Sequence, residues 1–142
     1  MEEPPTPGVD KQMSKDWCHD IAMMHEHYGV HPVVDKFDDD KMRELLKFRV
    51  RFLEEELNEL KTAENPDDVV DALVDLCVVA IGTMDIMGVD PYKAWDAVLK
   101  ANMKKRVGVK ESRPNPLGLP DLIKPAGWVG PSHEDNTGRL TL

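Results

Sequence analysis

The chain has 142 residues with a formal net charge of −9, 41% hydrophobic residues and two cysteines. That length suits one domain with a real core. No apolar run approaches the length of a membrane span, so the pattern speaks against a membrane partner. The acidic balance argues against holding a long nucleic-acid backbone. It does not argue against a nucleotide held through cations, because a cation bridges acidic protein and acidic phosphate.

Met1-Glu2-Glu3-Pro4-Pro5 lacks the basic start and apolar stretch of a signal peptide. Cys18 and Cys77 match no metal or redox spacing. Reduced thiols in a cytoplasm, a host's cytoplasm if a phage encodes the chain, are the resulting expectation.

In chain order, residues 1–10 read as a loose tail. A helical pattern runs from about Lys11 to Tyr28 through Met13, Trp17, Ile21 and Met24, with Gly29 past its end. His31-Pro32 and Asp38-Asp39-Asp40 read as a loop leading to a new N-terminus, where negative charge is favoured. The second helix is predicted over Asp40 to Ala63, with Leu45, Phe48, Phe52, Leu53, Leu57 and Leu60 at three- and four-residue spacing.

Asn65-Pro66-Asp67-Asp68 ends it and opens a third helix reaching about Met87, since Pro is tolerated at a first helical position. Gly88 stops that helix, and Asp90-Pro91 opens a fourth to about Lys105, with Ala94, Trp95, Val98 and Met103 as its expected buried face. No comparable strand signal precedes residue 106. Residues 11–106 thus read as one helical domain. From Val107 the prolines exclude a long helix, yet Leu117, Leu119, Leu122, Ile123 and Trp128 are too apolar for a bare linker. Residues 107–142 are expected to be an extended arm that packs on the body or a neighbouring subunit.

Chemistry concentrates in Glu55-Glu56-Leu57-Asn58-Glu59 and Asp71-Ala72-Leu73-Val74-Asp75. Helical residues four apart differ by only about 40° around the axis, so Glu55 shares a face with Glu59 and Asp71 with Asp75. From Val69 to Val79 nearly every other residue is apolar, which predicts a third helix buried almost all round. Ionised aspartates there need a positive partner. Clustered carboxylates are the usual ligands of a hard divalent cation, and Mg²⁺ brings phosphate substrates with it. The bland alternative is a solvated acidic face. A short connection containing Pro66 makes the two helices antiparallel neighbours, and that favours convergence.

Arg51 through Leu60 and Asp71 through Leu76 resemble the MazG-like all-α nucleoside triphosphate pyrophosphohydrolases. The resemblance extends through Ile81-Gly82-Thr83, Met87-Gly88-Val89-Asp90 and Ala101-Asn102-Met103-Lys104-Lys105. Met24-His25-Glu26-His27-Tyr28-Gly29-Val30 and Lys124-Pro125-Ala126-Gly127-Trp128 carry it towards both ends. Roughly residues 13–131 are covered, in the form of the short, single-domain versions common in bacteriophages. The family's second motif is ExxD; here Ala72 holds the Glu position, with Asp71 one residue earlier.

The resemblance implies an all-α fold with a four-helix core completed by oligomerisation, as a homodimer or homotetramer. It implies that Glu55 or Glu56, with Glu59, Asp71 and Asp75, hold two or three Mg²⁺ or Mn²⁺ ions gripping a nucleotide triphosphate. The attacking water would be prepared by a glutamate, Glu56 first and Glu55 beside it, or by coordination to the ions. Products would be the monophosphate and pyrophosphate, with a lean to dGTP or GTP that rests on the family alone. Two rival readings are a phosphoribosyl-ATP pyrophosphohydrolase and a non-catalytic acidic helical adaptor.

Asn102 and Lys105 fall at the family's phosphate-side positions, although cations at a helix end are favoured by its dipole in any case. Arg51 stands one turn before Glu55, where an i,i+4 ion pair explains it about as well as a substrate contact. His25 is a base-pocket residue by resemblance, while a partly exposed histidine needs no function.

Overall fold

The computed structural model describes residues 13–142; the expected tail over 1–10 and the expected helix start at Lys11 lie outside the described residues. The elements are α1 (Trp17–His27), α2 (Val30–Val34), α3 (Asp39–Thr62), α4 (Pro66–Ile86), α5 (Pro91–Met103), β1 (Arg106–Gly108) and β2 (Asp121–Ile123). The fold is all-α in class, and the two short strands pair antiparallel with Arg106 opposite Ile123.

Local chemistry explains most boundaries. The Asp38 carboxylate accepts from the Lys41 N–H at 2.9 Å and caps α3. Asn65 does the same for the Asp68 N–H at 2.9 Å, with Pro66 in the first turn of α4. Such caps contribute about 1 kcal/mol each. The first helix begins later than its apolar spacing predicts. Asp16 caps it by accepting from His19 N–H, which leaves Met13 outside it and exposed.

His31-Pro32, expected in a loop, lie instead in α2. Gly29, at φ +71, makes the left-handed turn between α1 and α2.

The chain forms two compact units. The first comprises the described residues to Pro91 together with Thr137–Leu142. Its core centres on Val34, Met42, Ile86 and Met87, flanked by Val30, Phe37, Leu45, Leu46 and Val89. Three connecting residues turn α3 back on α4, so later α3 residues meet earlier α4 residues. Arg49 reaches Thr83 Oγ1 and the Val79 carbonyl, each at 3.0 Å, whereas Glu56 and Glu59 meet Asp75.

The terminal segment is fastened to this unit through Arg139. Its N–H donates to Met87 O at 2.6 Å, and its guanidinium donates to Val34 O at 2.8 Å and Phe37 O at 2.5 Å.

The second unit, Tyr92–Asn136, holds α5 and the strand pair. Trp128 Nε1 donates to the Ala101 carbonyl at 2.7 Å. Lys105 and Lys124 place their ammonium groups 5.0 and 5.2 Å from the Trp128 ring centre.

Two burial expectations are corrected. In α4 the buried residues are Ala72, Val79, Gly82 and Ile86, whereas Val70, Leu73 and Val74 are exposed. In α5 Ala101 is buried, while Trp95, Val98 and Met103 are exposed. Apolar spacing predicts a face without saying what covers it, and among the described residues these faces stay exposed.

Candidate active site

Glu56 and Glu59 extend from successive turns of α3, and Asp75 from α4. Three spaced residues and a one-turn offset bring one carboxylate oxygen from each within 4.8 Å of the others. Asp71, one turn before Asp75, is near enough for its charge to act on both Glu56 and Asp75. Beside them an open cleft of about 260 Å³ is lined by Glu59, Thr62, Ala63, Asp68, Asp71 and Ala72.

Electrostatically the arrangement is frustrated. Glu56 is pushed above the ordinary carboxylate range, first by burial, then by its hydrogen bond to Glu59 and the charges of Glu59, Asp75 and Asp71. Asp75 is pushed up as well, first by burial, then by the Asp71 and Glu59 charges and the hydrogen bond to Asp71. Like charges held close together disfavour ionisation, although Glu59 and Asp71 remain exposed. Moreover, Glu56 Oε2 is buried without any hydrogen-bond partner. A buried acceptor left unpaired costs about 1–3 kcal/mol, more when charged. A divalent cation would relieve the repulsion and satisfy that oxygen together, and an all-oxygen donor set is what Mg²⁺ and Mn²⁺ take. The residues present therefore fit a hard metal.

The other sequence-derived candidates lie as follows. Glu55 is exposed and is not one of the converging group. Arg51 is exposed, and no ion pair joins it to Glu55 among the described residues. Asn102 and Lys105 belong to the second unit, where Lys105 lies over Trp128.

His25 corrects an expectation, being buried rather than partly exposed. Its Nδ1 lies 2.6 Å from Asp85 Oδ2, and His31 Nε2 lies 2.7 Å from the same oxygen. Sequence reasoning missed both Asp85 and His31. One signal was present: an acid in the last turn of α4 opposes the helix dipole and so needs a compensating donor.

Arg49 was missed too. Its guanidinium passes over Gly82, where an added Cβ would come 2.8 Å from Nη2. The close helix approach expected at Gly82 is thus an arginine and the His25 ring lying against α4.

Residues 35–102 match the family model described as phosphoribosyl-ATP pyrophosphohydrolase. The match takes in α3 and α4, with both acidic segments, and all of α5 but its last residue. No curated protein and no solved structure matches the chain.

Proposed function

Since residues 35–102 form a phosphoribosyl-ATP pyrophosphohydrolase family domain, within the MazG-like all-α superfamily of NTP pyrophosphohydrolases, the chain is a nucleotide pyrophosphohydrolase, and we propose that it converts a nucleoside triphosphate to the monophosphate and pyrophosphate at the Glu56–Glu59–Asp71–Asp75 cluster. The preferred substrate in this reading is a purine deoxynucleotide or nucleotide, dGTP or GTP, on the ground of family resemblance. The working assembly is a homodimer or homotetramer.

One observation carries the site assignment: the unpartnered, buried Glu56 Oε2 amid three other carboxylates. Glu56, Glu59, Asp71 and Asp75 would hold Mg²⁺ or Mn²⁺, two or three ions in all, and such ions neutralise charge on the attacking and leaving oxygens. The chain's own contribution is positional. The α3–α4 hairpin fixes the four carboxylates before substrate arrives, so little reorganisation is left for the reactive complex. In this reading Glu56 takes the proton of the attacking water, acting as the general base. The water oxygen bonds to phosphorus as the bond to the departing pyrophosphate breaks in line.

A second reading is favoured by the description of the family itself: phosphoribosyl-ATP as substrate, cleaved with the same loss of pyrophosphate. A substrate panel of dGTP, GTP, dATP and phosphoribosyl-ATP, with pyrophosphate detection and with or without Mg²⁺, separates the two. Release confined to phosphoribosyl-ATP would overturn the nucleoside triphosphate reading. A non-catalytic adaptor predicts solvated carboxylates and no release from any of them, and the buried oxygen of Glu56 already weighs against it.

A further inference from the structure

Outside the acidic cluster, another set of ligating atoms converges in the first unit. His25 comes from α1, His31 from α2 and Asp85 from the last turn of α4. His25 Nδ1, His31 Nε2 and Asp85 Oδ2 all lie within 4.8 Å of one another, with the two nitrogens 2.6 and 2.7 Å from the one oxygen. The imidazole planes stand at 87° with centroids 6.0 Å apart, so the rings approach from different directions instead of stacking. The three donor atoms thus converge, with Asp85 Oδ2 held between the two imidazoles. Donor atoms about 2.0–2.2 Å from a tetrahedral ion lie roughly 3.3–3.5 Å apart, so an opening of under about 1 Å would admit one.

We propose that His25, His31 and Asp85 form a second cation site, built for a late first-row divalent metal of the Zn²⁺ class. Two imidazoles and one carboxylate suit such an ion and do not suit Mg²⁺, which prefers oxygen. The His25 side chain is 10% exposed and that of His31 38%, so a water reaching the site from the His31 side can complete a four-coordinate ion. Arg49, the neighbouring cation, does not compete for Asp85, since its donors go to Thr83 and Val79. An ion held there would tie α1, α2 and the end of α4 together. The site shares no residue with the acidic cluster and does not depend on which nucleotide is hydrolysed.

The test uses the full-length protein in excess Mg²⁺, which occupies the carboxylate cluster, with Co²⁺ as a spectroscopic probe and Zn²⁺ for stoichiometry. The expected result is one tightly held Zn²⁺ per chain, a higher melting temperature, and the strong visible absorption of four-coordinate Co²⁺. His31→Gln keeps a donor for Asp85 but loses the imidazole. It should melt like the parent without metal, and lose more affinity than the about 10–100-fold that accompanies loss of a merely supporting partner. Asp85→Asn should also abolish the signal, and Glu56→Gln should retain it. A weak six-coordinate Co²⁺ spectrum, an unchanged affinity in His31→Gln, or a signal lost in Glu56→Gln would overturn the proposal.

Discussion

Glu56 has a buried oxygen that lacks a partner, and the charges of Glu59, Asp75 and Asp71 press on it. Replacing it with Gln removes a repelled charge while leaving the shape. We expect Glu56→Gln to lose at least about 100-fold in turnover, the lower range for a general base. The metal-free protein should meanwhile gain about 2–6 °C in melting temperature. Calorimetry without metal and pyrophosphate release with Mg²⁺ would check the two halves.

The same residue sets a pH dependence. Because Glu56 and Asp75 have raised pKa values in the fold, the folded state binds more protons than the unfolded chain just above the ordinary carboxylate range. Metal-free stability should therefore rise as pH falls from neutrality through that window, and should be lost again as pH rises. Stabilisation by Mg²⁺ should run the other way, largest near neutral pH where ligands are free of protons. Melting curves across pH, with Glu56→Gln flattening the metal-free trend, test the sign.

Legibility at this scale was uneven. Helical spacing put Glu55 on a face with Glu59 and Asp71 on a face with Asp75, and the short connection at Pro66 made the two helices antiparallel neighbours. Rotational position could not say whether Glu55 or Glu56 faces α4, because that depends on how α3 is rolled against its neighbour. His25, Asp85 and His31 come from three elements, one of them a five-residue helix, and no local period encodes such a meeting.

Among the elements, the α3–α4 hairpin carries the design. Its ends were readable because Asp38, Asn65 and Pro66 act locally, through side-chain caps and a fixed φ. The burial of α4 was misread because its apolar stripe at Val70, Leu73 and Val74 stays exposed among the described residues. What holds the middle of the hairpin is Arg49, lodged against α4 at Gly82 and pushed below its usual pKa by burial. A methyl group at position 82 would crowd both Nη2 of Arg49 and Cε1 of His25. Gly82→Ala should then lose about 1 kcal/mol net, the cost of overpacking exceeding the gain in helix propensity. Arg49→Ala should lose about 1.5–3 kcal/mol. The double variant should lose less than the sum, because the first substitution removes what the second collides with. Strict additivity in denaturant titrations would sink this account of Gly82.

For the molecule as a whole, the terminal segment and the uncovered face of α4 matter most. Arg139 serves two carbonyls near the end of α2, so Arg139→Ala should cost about 1.5–3 kcal/mol. Arg139→Lys should recover little, since an ammonium lacks the planar fork that reaches both oxygens. Urea melts would measure this.

The α4 stripe makes a different demand. Val70, Leu73 and Val74 share one side of the helix, while Asp71 and Asp75 point about 130° away from it. Apolar cover and acidic chemistry can therefore be supplied to one helix from two directions. Each such side chain is already about half buried, so covering the rest contributes roughly 1 kcal/mol, and a second copy of the chain is the cover that the proposed assembly provides. Light scattering should give a mass that is a multiple of 16.0 kDa. Leu73→Glu should reduce it to one chain, because a carboxylate cannot enter an apolar contact unpaired. A parent protein already monomeric at working concentration would show that this stripe faces water in the active enzyme, and the assembly would have to be given up.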